Sequence, residues 1–414
     1  MSWLVAFVGI AVALVVGADG SAHGRVLRVL VVLALTALMF RIVRSERPAP
    51  RAWTEFGAGI VGVTIGIGIG ARHVVGGDVT VTALVATASL FAGLVLIAWG
   101  GINVIRSVAG WRRLPMTLGV VALTLVTIPP VGIALAATNV PRDDMSDATP
   151  ADDGLEYRDV TLTTADDVTL SGWYVPGRTG AAVALLHGAG STRQNTLRHA
   201  AVLAEHGFGV LLFDARGHGR SGGRAMDFGW YGDADVTAAI DFLADQPGVA
   251  LDRIGVVGLS MGGEEAIGAA AADPRVRAVV AEGVTGRTAA DHAWLADEYG
   301  LRGWLQRGVD WITYSATDLF TDSHPPIALR EAAAQAATPM LLIAAGTVAD
   351  EQHAARDIER AAPETVDVWV VDGSSHTGGL ETAPAEWKAR VTAFLDDALR
   401  SVPARLGPSA LHMS

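Results

Sequence analysis

A mainly parallel β-sheet with helices on both faces, preceded by an all-α membrane region, is the α/β architecture the sequence predicts. Three observations predict it. The first 138 residues hold long apolar runs with few acids, residues 157–371 alternate β-rich runs with helical ones, and a polar, proline-containing stretch parts the two. Half of the 414 residues are apolar, too many for an ordinary soluble chain of this length.

Taken in order, five apolar stretches approach the roughly 20 residues a bilayer crossing needs: 3–16, 29–43, 56–75, 79–105 and 115–138. The first two are short, so the count falls between four and five. The third is rich in glycine, which suits close helix packing better than a channel. Pro129 and Pro130 predict a kink in the last. Arg41, Arg44, Arg47 and Arg51, then Arg106, Arg112 and Arg113, lie in loops expected to stay inside, since cytoplasmic loops retain positive charge. Arg25 and Arg28 argue weakly the other way. The expectation is an N-terminus inside, five crossings, and everything beyond residue 138 on the extracytoplasmic side of the cell membrane. A cleaved signal peptide ending among the small residues 17–22 is the alternative for the first stretch, although no basic residue precedes it.

Residues 139–154 read as a linker, with Pro141 and Pro150. Runs at 157–164 and 168–175, split by Asp166 and Asp167, read as an antiparallel hairpin. Apolar strands then follow at 181–186, 210–213, 254–257, 276–281, 340–344 and 366–371, alternating with helical segments such as 196–206, 233–245 and 264–272. Continuous apolar strands separated by helices imply a parallel sheet covered on both faces. The expected organisation is a transmembrane domain over 1–138, a linker over 139–154, a sheet domain over 155–402 with a cap at about 283–337, and a tail over 403–414.

The formal charge of −12 is concentrated in the second half, which argues against a nucleic-acid surface. Without cysteine there is no disulfide, thiolate nucleophile or cysteine metal site. His292, His324 and His353 read as ordinary surface or packing residues whose pairing with carboxylates does not suggest a metal site, and neither metal nor cofactor is expected.

The strand at 254–257 runs into Gly258-Leu259-Ser260-Met261-Gly262 and then a helix. This is G-x-S-x-G in the strand-turn-helix setting that holds a serine Oγ clear of the backbone. The backbone N–H groups of Ala189, after the strand ending at Leu186-His187-Gly188, and of Met261 are the candidate oxyanion donors. His187 reads as structural, and Asp214 to Ser221 as scaffold beneath the site.

These motifs in this order resemble the α/β-hydrolase superfamily, in the serine-hydrolase branch that holds monoglyceride lipases, carboxylesterases and serine aminopeptidases. The likeness covers roughly residues 157–399 and nothing in the membrane half. It implies a triad in the order serine, acid, histidine, with Ser260 as nucleophile and His376, just after the last strand, as base. The acid is expected at Asp350, one residue later than the family's usual spacing from Gly346; Glu351 and Glu282 are the alternatives. It also implies a cap after the sixth strand, where Trp294, Tyr299, Trp304, Trp311, Tyr314 and Phe320 either line an acyl pocket or bury the cap. The expected activity is hydrolysis of carboxylic esters, lipid or hydrophobic ones included. An acyltransferase with the same triad and an inactive binding or signalling module are the alternatives.

Overall fold

The computed structural model describes residues 1–16, 22–77 and 79–400. Residues 17–21 of the considered cleavage site and the tail at 403–414 lie outside them. The chain forms two compact units: Met1–Asp143 with Arg224–Phe228 and Leu295–Pro325, and Asp144–Gly223 with Gly229–Trp294 and the chain from Pro326 onward. The first boundary falls inside the stretch read as a linker.

The helical unit contains α1 (Ser2–Val16), α2 (Ala22–Val43), α3 (Pro48–Ile65), a π-helical Gly66–Ala71, α4 (Arg72–Val75), α5 (Val81–Arg106), α6 (Arg113–Thr138) and, from later in the chain, α10 (Leu295–Phe320). Four segments, carried by α2, α3–α4, α5 and α6, are long and apolar enough to cross a membrane. The expected fifth is not: α1 has 15 residues, about 22 Å at 1.5 Å per residue, short of a bilayer core of about 30 Å. Large apolar side chains such as Leu30, Leu84, Phe91, Leu118 and Leu125 are exposed, which a water-facing bundle would bury.

Glycines such as Gly59 in the third apolar stretch and Gly93 in the fourth serve packing. A methyl on Gly93 would stand 2.5 Å from the Val63 amide nitrogen, and one on Gly59 would meet the Ile97 amide nitrogen at the same distance. The backbones of α3 and α5 therefore touch, as small residues allow. Pro129 and Pro130 stay inside α6 without ending it.

The segment expected as a cap is divided. Its central part, α10, kinks at Gly300 (φ 55°) and packs along α6; Phe320 at its end sits with Val12, Val15, Ile65, Ile69 and Leu135. Tyr314 lies against Phe228, ring centroids 4.8 Å apart. The six aromatics thus do not form one lining: Trp294 alone belongs to the sheet unit, where it stacks on His353.

In the sheet unit the strands are β1 (Arg158–Thr163), β2 (Thr169–Val175), β3 (Ala182–Leu186), β4 (Gly209–Phe213), β5 (Ile254–Leu259), β6 (Val276–Glu282), β7 (Met340–Ala345) and β8 (Val366–Val371). They form one sheet in the order β1-β2-β4-β3-β5-β6-β7-β8, antiparallel from β1 to β4 and parallel from there on. On one face lie α8 (Gly232–Ala244), α9 (Met261–Ala272), α11 (Leu329–Gln335) and α12 (Ala349–Ala361); on the other lie α7 (Leu197–His206) and α14 (Pro384–Ala398), the latter after a single turn α13 (Gly379–Thr382). Strand β3 shows why both faces are covered: Ala182, Ala184 and Leu186 enter one core and Val183 and Leu185 the other.

Candidate active site

Strand β5 delivers Ser260 to the head of α9 in a strained conformation, φ 53° and ψ −119°. Such a backbone is held only when its surroundings over-determine it. Here the Ser260 N–H donates to the Glu282 carbonyl at 2.7 Å, and the Gly263 and Glu264 N–H groups return to the Ser260 carbonyl. The flanking glycines are steric requirements. A methyl on Gly258 would collide with the Gly262 carbonyl oxygen, and one on Gly262 would stand 2.6 Å from the His187 carbonyl oxygen.

His376 leaves the loop after β8 and faces Ser260, with Nε2 2.9 Å from Oγ. Its Nδ1 lies 2.6 Å from Glu351 Oε1. The structure therefore places Glu351, not Asp350, against the imidazole. Both residues stand in the first turn of α12, where successive side chains point about 100° apart, so only one can face inward. Glu351 is buried and Asp350 is exposed.

The Glu351 carboxylate is fixed at both ends. Oε2 accepts the Ala345 N–H at 2.8 Å while Oε1 meets the imidazole. The two loops are tied as well: the Thr347 N–H and hydroxyl donate to the Ser374 carbonyl, and the Gly346 N–H donates to Ser374 Oγ. Hydrogen bonding to Glu351 raises the His376 pKa above the ordinary imidazole value, with partial burial opposing.

Glu282, the third candidate acid, has another task. Its Oε1 accepts the Gly379 N–H at 2.7 Å and its Oε2 the Trp387 indole N–H at 3.0 Å. It pins the chain three residues beyond His376, and burial pushes its own pKa up. Sequence offered it only as an acid; nothing in the sequence alone marked the Trp387 indole as its partner.

His187 is not placed as a base. Its Nε2 accepts the Ala215 N–H at 3.0 Å, so Nδ1 carries the proton given to the Gly188 carbonyl. Burial, then the neighbouring His218, push its pKa down to about 3. Asp214 accepts the Arg193 and Arg220 N–H groups, and Ser221 Oγ donates to the Asp214 carbonyl, which is a turn-closing scaffold.

A cavity of about 330 Å³ opens at Ser260 and His376, lined also by Ala189, Asn195, Arg198 and Leu380. Ala189 borders it, and Met261 is the first residue of α9, where N–H groups have no partner within the helix. Asn195 and Arg198 were not singled out from sequence, where no motif marks them.

Comparison with known proteins places this geometry. The family described as serine aminopeptidase, S33, matches residues 177–317. An uncharacterized protein of Mycobacterium tuberculosis is 34% identical over 230 residues, covering 53% of this chain and 72% of its own. A thiohydrolase of Aspergillus aculeatus is 36% identical over 128 residues, 30% of this chain and 40% of its own. The structure of an esterase from Pyrococcus furiosus is 29% identical with a TM-score of 0.51, covering 64% of this chain and 99% of that one. Identity of this order across most of a relative, on a sheet that matches the whole of a solved esterase, makes the chain a member of the α/β-hydrolase superfamily.

Proposed function

We propose that this protein is a membrane-bound serine hydrolase that cleaves carboxylic esters, lipid or other hydrophobic esters in particular, through an acyl-enzyme on Ser260. The observation that carries the reading is the unbroken relay from Ser260 Oγ to His376 Nε2, and from Nδ1 to a buried Glu351. An unassisted hydroxyl is a poor nucleophile; an adjacent base oriented by a third group activates it. In this reading Oγ attacks the ester carbonyl as His376 Nε2 takes its proton. Glu351 holds the tautomer with hydrogen on Nδ1 and stabilises the imidazolium. The carbonyl oxygen becomes an oxyanion met by the N–H groups of Ala189 and Met261; one such donor is worth about 10²–10³ in rate. Collapse breaks the ester C–O bond, and the alcohol leaves with the proton from Nε2. Water then repeats the sequence and releases the acid.

Four segments of crossing length support a membrane location. If the loops holding Arg41 to Arg51 and Arg106 to Arg113 stay inside, those four crossings put the hydrolase unit on the extracytoplasmic side whether or not α1 crosses. The similarity to an esterase along its full length favours esters over peptides. The test is turnover of p-nitrophenyl esters of two to sixteen carbons against aminoacyl p-nitroanilides, using the full chain in non-ionic detergent. Ester turnover that falls at least 10³-fold in Ser260→Ala is expected; anilide turnover without ester turnover contradicts the substrate class.

A further inference from the structure

One wall of the cavity at Ser260 carries an imidazole that the proposed ester chemistry does not use. His199, on α7, lines that cavity and is 6% exposed, and both of its ring nitrogens are buried without a hydrogen-bond partner among the described residues. Buried polar side chains are nearly always hydrogen-bonded, so an unpaired one at the edge of a substrate cavity points to a partner that the ligand supplies. The ring is held in place. Trp387 meets it edge-on, centroids 5.1 Å apart, and the Trp387 indole N–H is itself bonded to Glu282.

The neighbours of His199 extend the polar wall. Asn195, in the turn that leads into α7, and Arg198 share a helical face with it by spacing, and all three line the cavity. Asn195 Oδ1 accepts the Thr192 N–H at 3.1 Å, which leaves the amide N–H₂ as a spare donor. The segment after His376 adds Thr377 and Glu381 to the lining. The charges of Arg198 and Glu381 cancel, so this wall favours no ion. Burial, with Arg198 adding to it, pushes the His199 pKa down to about 4, and a neutral imidazole has one N–H to donate and one lone pair to accept with. A hydroxyl has the same two capacities, whereas a carboxylate only accepts.

We propose that the alcohol half of the substrate is a sugar, whose hydroxyls bond to His199, Asn195 and Arg198 while the ester carbonyl lies at Ser260. The proposal rests on the ester-hydrolase reading and names the alcohol which that reading leaves open: the sugar is the leaving group that departs with the proton from His376 Nε2. With a hydrophobic acyl half, only the alcohol can match a polar wall. The five polar side chains outnumber the free hydroxyls of a glycerol monoester and suit a sugar better. The cavity, about 330 Å³, is near the lower end of the ~300–1,000 Å³ of small-molecule sites, which suits one ring rather than a chain of sugars.

The experiment compares kcat/KM for the octanoyl esters of the primary hydroxyls of glucose, glycerol and hexanol, with p-nitrophenyl octanoate as a general ester probe. The full chain is used in a polyoxyethylene detergent, which carries no sugar to compete. All three alcohols form primary esters of one acid, so differences in rate report recognition. The glucose ester should exceed both others at least tenfold, since a site built to bond hydroxyls rejects analogues that lack them. His199→Phe keeps the ring against Trp387 and removes its nitrogens; it should lower the glucose-to-hexanol ratio at least tenfold. Asn195→Asp keeps the acceptor for Thr192 and removes the donors, and should lower the same ratio at least threefold, a readout that does not require the His199 variant to fold. A ratio unchanged in both variants is the signature of a merely structural role and overturns the proposal. Equal turnover of the three esters, or preference for the glycerol ester, overturns it while leaving the ester-hydrolase reading intact; no turnover of any ester, p-nitrophenyl octanoate included, overturns both.

Discussion

Replacing Glu351 by glutamine exchanges one carboxylate oxygen for an amide nitrogen, and the two contacts of that carboxylate set the cost. In the native site it accepts two donors, the Ala345 N–H at 2.8 Å and the His376 imidazole at 2.6 Å. A glutamine has one acceptor oxygen. If that oxygen stays on Ala345, the amide N–H₂ faces Nδ1 and forces the imidazole proton onto Nε2, the tautomer that cannot accept from Ser260. If it turns to His376, the buried Ala345 N–H is left facing an N–H₂. Loss of the orienting carboxylate in such a relay costs about 10⁴ in kcat, which at 1.36 kcal/mol per tenfold is about 5.4 kcal/mol of transition-state stabilisation. The expected loss is therefore about 10³- to 10⁴-fold in kcat, read from p-nitrophenyl ester hydrolysis. Asp350→Asn, an exposed change, should stay within about ±0.5 kcal/mol, roughly twofold. An Asp350→Asn loss as large as that of Glu351→Gln would overturn the assignment of the acid.

The same contacts bear on pH dependence, stability and assembly. Because Glu351 raises the His376 pKa above 6.5 and catalysis needs the neutral ring, kcat/KM should rise with pH through an inflection above 6.5; Glu351→Gln should lower it. The sign for stability is opposite: this pair contributes fully below about 6.5 and its contribution fades as pH rises through the raised value, which thermal melts between pH 5.5 and 9 will show. Glu282→Gln should leave one of the Gly379 and Trp387 donors unpaired and cost about 1–3 kcal/mol in urea unfolding followed by tryptophan fluorescence, with kcat reduced as the His376 loop loosens; an unchanged midpoint contradicts that role. Gly93→Leu should force α3 from α5 and yield aggregated protein on size-exclusion chromatography, whereas Leu125→Ala, an exposed change, should not.

All eight strands and the elbow were legible because they depend on local signals: continuous apolar runs, and glycines on either side of Ser260. The acid was less legible. Asp350 and Glu351 are neighbours in sequence, and only the phase of α12, set by where its first turn begins after Val348, decides which of them turns inward. The segment at 283–337 was legible as helix and aromatic but not in its destination. Aromatic residues serve a pocket and a helix interface equally well, and the packing of Phe320 beside Val12 and Leu135 joins residues about 300 and 185 positions apart, a pairing no local pattern encodes. The length of α1 exposed a similar limit. An apolar run identifies a buried helix, but whether it crosses a bilayer turns on a few residues at its ends.

Whether Ser260 is the nucleophile is decided by treating the full chain in detergent with a fluorophosphonate and measuring the intact mass, then mapping the labelled peptide. One adduct per chain on the peptide containing Ser260, lost in Ser260→Ala and at least 10³-fold slower in His376→Ala, is the expected result. No adduct on a protein that remains folded and monodisperse, or an adduct that survives Ser260→Ala, contradicts it.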